Sequence, residues 1–100
     1  MNTICKNAVD TYGKELQINQ AFEEMAELMV AINYWRRGRV SKTDVLEEIA
    51  DVAIMCDQLV YIVYGTEAGY DACIDIINQK LQRLDKRLKE YIASANTQKS

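Results

Sequence analysis

Between residues 15 and 37 apolar side chains recur with the period of an α-helix. Ile18, Ala21, Phe22, Met25, Leu28, Met29 and Ile32 share one broad face at about 100° per residue. Arg36 and Arg37 fall in its last turn and Gly38 just beyond, as the helix dipole and C-cap chemistry favour. A second helix is predicted from about residue 42 to 64. Ser41 or Thr43 can cap it, and Ser41 to Asp44 has capping-box spacing. From Ile49 to Tyr64 its strongly polar residues are Asp51, Asp57 and Gln58. Val45, Ile49, Val52, Cys56, Leu59 and Val63 give the expected core face, with Cys56 as a small buried residue. Ala50, Ile54 and Tyr61 make the opposite side apolar too, and a helix apolar nearly all round must be covered on all sides.

Two further helices are predicted. A short one over residues 3–12 carries Ile4, Ala8 and Tyr12 on one side, and Gly13 stops it. A long one over roughly 67–93 carries Ile74, Ile77, Leu81, Leu84 and Leu88, after a turn at 65–69. The tail at 94–100 is polar and expected to be frayed. The predicted fold is all-α: one domain over residues 1–100, an antiparallel four-helix bundle-like protomer. A chain this short can hardly surround its third helix, so a homo-oligomer of at least two chains is expected.

Composition narrows the chemistry. There is no histidine, which excludes histidine acid–base catalysis, histidine triads and the Glu-x-x-His ligands of di-iron bundles. Cys5, Cys56 and Cys73 form neither a disulfide framework nor a zinc signature. A net charge of −3 argues against a nucleic-acid partner. The apolar run of the third helix is short and holds two aspartates, so no membrane span is expected. The N-terminus lacks an apolar core of signal-peptide length. A cytoplasmic protein with reduced thiols is the resulting expectation.

Two acidic signatures then stand out: Glu23-Glu24-x-x-Glu27 and Glu47-Glu48-x-x-Asp51. Carboxylates at i and i+3 share a helix face. Two such helices side by side would bring together Glu24, Glu27, Glu48 and Asp51, whose mutual repulsion a hard divalent cation would neutralise. Magnesium is the expected ion, with manganese as a substitute. Aspartate is a poor helix former, and Asp51 sits in an apolar stretch where an unpaired charge is costly. Asp57 is a similar oddity without an evident role. The bland alternative is a set of solvated surface acids, the usual fate of glutamate. Gln20 and Trp35 lie beside the acidic face as candidate substrate contacts, Trp35 by stacking on a base. Tyr12 and Tyr34 are further stacking candidates. Lys80 and Arg83, and also Arg36, Arg37 and Arg39, could meet phosphates, or form a solvated face.

The EExxE pattern, a spacer of some twenty residues and ExxD on the next helix resemble the MazG-like nucleoside triphosphate pyrophosphohydrolases, of the all-α NTP pyrophosphatase superfamily. Tyr12-Gly13 and Asn78-x-Lys80-x-x-Arg83 also look like family features, so the resemblance spans roughly residues 8–90. It implies that Glu24, Glu27, Glu48 and Asp51 hold magnesium, that Lys80 and Arg83 bind phosphates while Asn78 contacts substrate, and that the chain assembles as a homodimer or homotetramer. It implies attack of water on the α-phosphorus of a nucleoside or deoxynucleoside triphosphate, releasing a monophosphate and pyrophosphate. Either Glu23 or Glu27 is the expected catalytic proton acceptor. Leu84 departs from members with a second consecutive basic residue. A related pyrophosphohydrolase acting on phosphoribosyl-ATP, and a non-catalytic helical interaction protein, remain alternatives.

Overall fold

The structure, a computed structural model, describes residues 3–99. It consists of α1 (Thr3–Tyr12), α2 (Lys14–Arg36), α3 (Lys42–Tyr64) and α4 (Ala68–Lys99), with no strand among the described residues. The fold class is all-α, as the periodicity predicts. The chain is built as two compact units, one ending at Tyr70 and the other starting at Asp71. No single helix among the described residues is long and apolar enough to cross a membrane.

The helix ends follow local chemistry. Ser41 caps α3: the Asp44 N–H donates to Ser41 Oγ at 3.1 Å, and the Ser41 N–H donates to Asp44 Oδ2 at 2.8 Å. The Ser41 N–H, joined by the Ser41 hydroxyl donating to the same Oδ2 at 2.9 Å, holds the Asp44 carboxyl below the usual carboxylate range. Gly65 ends α3 in the left-handed conformation, φ 93°, and its N–H donates to the Tyr61 carbonyl. Gly69 is required for a different reason, since a Cβ there would collide with the Tyr64 side chain.

One expectation about length is corrected. Residues 94–99 extend α4 beyond the predicted end near residue 93, and residue 100 lies outside the described residues. Ala93, Ala95 and Gln98 suit a helix, neither Gly nor Pro interrupts this stretch, and the Thr97 hydroxyl donates to the Ala93 carbonyl at 2.9 Å.

In the first unit α2 packs on α3, and α1 lies against both. The inner seam of α2 runs through buried Gln17 and Ala21, then half-buried Glu24, Leu28 and Ala31. The seam of α3 runs through buried Val45, half-buried Glu48 and Val52, then buried Met55 and Gln58. Both seams step by three and four residues, so each helix offers one stripe to the other. Cys5 and Val9 complete the core from α1. Burial pushes the Cys5 thiol upward, and the neighbouring Asp57 charge adds to the effect, which gives that aspartate a contact the sequence did not suggest.

The core face of α3 therefore differs from the predicted one. Val45 is buried and Val52 and Leu59 are half-buried, but Ile49, Val63 and Cys56 are exposed. On α2, Phe22, Met29 and Ile32 are exposed as well. The physical reason is that these helices are apolar over more than one stripe. A single neighbouring helix covers only the stripe that faces it, and periodicity alone does not select which one.

Candidate metal centre

The antiparallel register of α2 and α3 builds the site. Gln17 Nε2 donates to Gln58 Oε1 at 2.7 Å across the buried seam. Gln17 lies early in α2 and Gln58 late in α3, so positions further along α2 meet positions earlier in α3. Glu24 and Glu27 are thereby brought to Glu48. One carboxylate oxygen from each of the three lies within 4.8 Å of the other two.

Two features set this cluster apart from solvated acids. Glu24 Oε1 accepts a hydrogen bond from Gln20 Nε2 at 2.8 Å, which fixes the carboxylate. The other oxygen, Glu24 Oε2, and its counterpart Glu48 Oε2 are buried without a hydrogen-bond partner. A buried carboxylate oxygen with no donor is costly, and a cation is one way of satisfying it. The electrostatics agree. The Glu27 carboxyl is raised above its usual range, first by the Glu24 charge, then by desolvation and the Glu48 charge. Glu48 is raised chiefly by desolvation, then by the charges of Asp51 and Glu24.

The other sequence candidates have different placements. Asp51 is exposed and outside the three-carboxylate group, one turn from Glu48 on α3, although its charge is felt there. Glu23 is exposed and also outside the group. Gln20 lies one turn before Glu24 on α2 and donates to its carboxylate. Trp35 is half exposed. A groove of about 400 Å³ beside the acids is lined by Ala26, Glu27, Val30, Ala31, Tyr34 and Val40, with Asp44 and Glu48, and Trp35 is not among these residues. Tyr34 is thus the aromatic side chain next to the cluster. Lining residues at 27, 30, 31 and 34 share one face of α2, a spacing that could have singled out Tyr34. Arg36 and Arg37 sit at the end of α2 with Asn33, around a polar depression of about 260 Å³. Asn78, Lys80 and Arg83 are exposed on α4, in the second unit.

No family model, curated protein or solved structure matches the chain.

The raised carboxyls predict a pH dependence. In the folded, metal-free protein Glu27 and Glu48 hold protons that the unfolded chain releases above the ordinary glutamate value of 4.5. Stability from these groups is therefore greatest at low pH and falls as pH rises from that value through their raised folded-state values. Melting in EDTA should show a lower transition temperature at pH 7 than near pH 4.5, the ordinary glutamate value. The difference should narrow in Glu48→Gln, which removes one titrating group and one repulsive neighbour of Glu27. An equal pH response in both proteins would show that the cluster is not its source.

Proposed function

We propose that the chain is a magnesium-dependent nucleoside triphosphate pyrophosphohydrolase, cutting between the α and β phosphates to leave a monophosphate and pyrophosphate. The observation that carries this reading is the convergence of Glu24, Glu27 and Glu48 within 4.8 Å, with two buried carboxylate oxygens lacking a partner. The donor set is all oxygen and all anionic, which fits a hard divalent cation, magnesium first and manganese as a substitute. Glu24, Glu27 and Glu48 would hold the ion, with Asp51 as a fourth candidate one turn along α3. When bound, such an ion draws charge from phosphate oxygens and acidifies a water.

The remaining work falls to the chain itself. Gln20 orients Glu24 through its 2.8 Å hydrogen bond. Glu27 lies within the three-carboxylate group and Glu23 outside it, so Glu27 is the proposed acceptor of the attacking water's proton, although both side chains are exposed. The groove lined by Val30, Ala31, Tyr34 and Val40 gives an apolar or aromatic part of the substrate a place beside the acids. The motif resemblance supports the nucleotide substrate and the position of cleavage. It is also the ground for assigning phosphate contacts to Lys80 and Arg83, with Asn78 nearby in sequence. A cytoplasmic homo-oligomer completes the proposal. Its support is the exposure of Phe22, Met29, Ile49 and Ile54, apolar residues that a second subunit would cover.

The test is incubation with a panel of ribo- and deoxyribonucleoside triphosphates, with magnesium and with EDTA. Pyrophosphate and a monophosphate should form only with the metal. Orthophosphate and a diphosphate would overturn the cleavage position, and no turnover of any nucleotide would overturn the enzyme.

A further inference from the structure

The second unit carries a feature that the proposed chemistry does not use. Along α4, Ile74, Ile77, Leu81, Leu84, Leu88 and Tyr91 follow one another at steps of three and four residues. All six are exposed, between 40% and 73%. This is the a/d seam of a heptad repeat: Ile74, Leu81 and Leu88 at a, and Ile77, Leu84 and Tyr91 at d. It spans about 26 Å at 1.5 Å per residue. A lone helix gains little from such a stripe in water, because most helical stability in proteins comes from packing an apolar face.

The flanking positions say what covers it. Lys80 and Arg87 occupy g, and Asn78 and Asp85 occupy e. In a parallel pair of identical helices, g of one helix meets the e position five residues further along the other. Lys80 then faces Asp85 of the second copy, and the reciprocal pair forms by symmetry. In an antiparallel pair g meets g, so the basic residues Lys80 and Arg87 would face basic residues. Asp85 does accept an ion pair from Lys89 within its own helix, at 2.9 Å, but both side chains are largely exposed and the contact is of the weak i, i+4 kind. It leaves Asp85 accessible from the g side.

We infer that α4 forms a parallel two-stranded coiled coil with α4 of a second copy of this chain, in register, with the Lys80–Asp85 pairs setting the orientation. This inference takes Lys80 away from the phosphate contact proposed above and leaves that role to Arg83, at an outer heptad position; its readout is association and not turnover.

Charge reversal on the full-length protein tests it, with sedimentation velocity as the readout. Wild type should associate into a species of at least twice the 11.5 kDa chain mass. Lys80→Glu and Asp85→Lys should each weaken this association about five- to thirtyfold, since two attractive pairs become repulsive. The double variant Lys80→Glu/Asp85→Lys should restore it, and so should mixing the two single variants, because each then meets its complement. Leu84→Asn, at the centre of the seam, should weaken association with the helical content of the first unit unchanged. Single variants that associate like wild type, that associate more tightly, or that are not rescued by either combination would overturn the pairing. A mass of three chains would overturn the two-stranded form.

Discussion

In EDTA, Glu48→Gln should melt at or above the wild-type temperature, and excess magnesium should raise its melting point far less than it raises that of wild type. Wild type without metal holds three carboxylates within 4.8 Å, two of them with a buried and unpartnered oxygen. Removing one charge relieves repulsion on Glu24 and Glu27, and the new amide can donate a hydrogen bond to them. The gain in stability with metal has the opposite cause. An ion that binds only the folded chain stabilises it by about 2.7 kcal/mol at a hundredfold excess over its dissociation constant. Glutamine is a neutral and poorer ligand, so that gain should shrink or vanish. On the proposed reading turnover should fall on the order of a hundredfold or more, because the ion would position and polarise the reacting groups. Solvated acids would give another pattern: small magnesium shifts, equal in the two proteins, with no loss of activity. Equal shifts would remove Glu48 from the centre and undermine the cluster as a metal site.

Much of this arrangement is written in local signals. Gly13, Gly38 and Gly65 all take positive φ where α1, α2 and α3 end, and the Ser41–Asp44 capping box starts α3 where the spacing puts it. These signals depend on neighbours within a few residues, so a linear reading reaches them. The pair spacing in ExxE and ExxD likewise brings Glu24, Glu27 and Glu48 to one place. What the spacing does not contain is rotation. α3 is apolar on several sides, and its facing stripe is decided by what α2 presents. Cys56 and Ile49 consequently turn out, while Gln58 turns in. The same rotation leaves Asp51 outside the three-carboxylate group and puts Tyr34, not Trp35, beside the acids. Gln20 was legible as a neighbour of the acidic face. Its bond to Glu24 depends on side-chain rotamers that spacing does not specify.

Gln58→Leu should destabilise the α2–α3 seam although it leaves the carboxylates themselves untouched and adds apolar surface. Gln17 and Gln58 are 7% and 4% exposed, and they satisfy each other at 2.7 Å, with Gln58 Nε2 also reaching Met55 Sδ. Truncating one partner leaves a buried amide donor with nothing to bond, at about 1–3 kcal/mol. For a domain of 60–100 residues that corresponds to roughly 4–8 °C of melting temperature per kcal/mol. The double variant Gln17→Leu/Gln58→Leu should recover most of the loss, because no amide is then orphaned and apolar area is gained. The coupling between the two substitutions should therefore be large and favourable. The pair also has a second consequence, since it lies on the same seam as the glutamates and ties one register of α2 on α3. A slip of one helical turn moves residues by about 5.4 Å, more than the spread of the three carboxylate oxygens. With leucines on both sides, several registers bury similar area, so the double variant should keep its stability yet lose part of the magnesium-induced rise in melting temperature. Urea melts of both single variants and the double variant, each with and without magnesium, measure both effects. Strictly additive stabilities would show that the two amides are not partners. A full magnesium shift in the double variant would show that packing alone holds the glutamates in register.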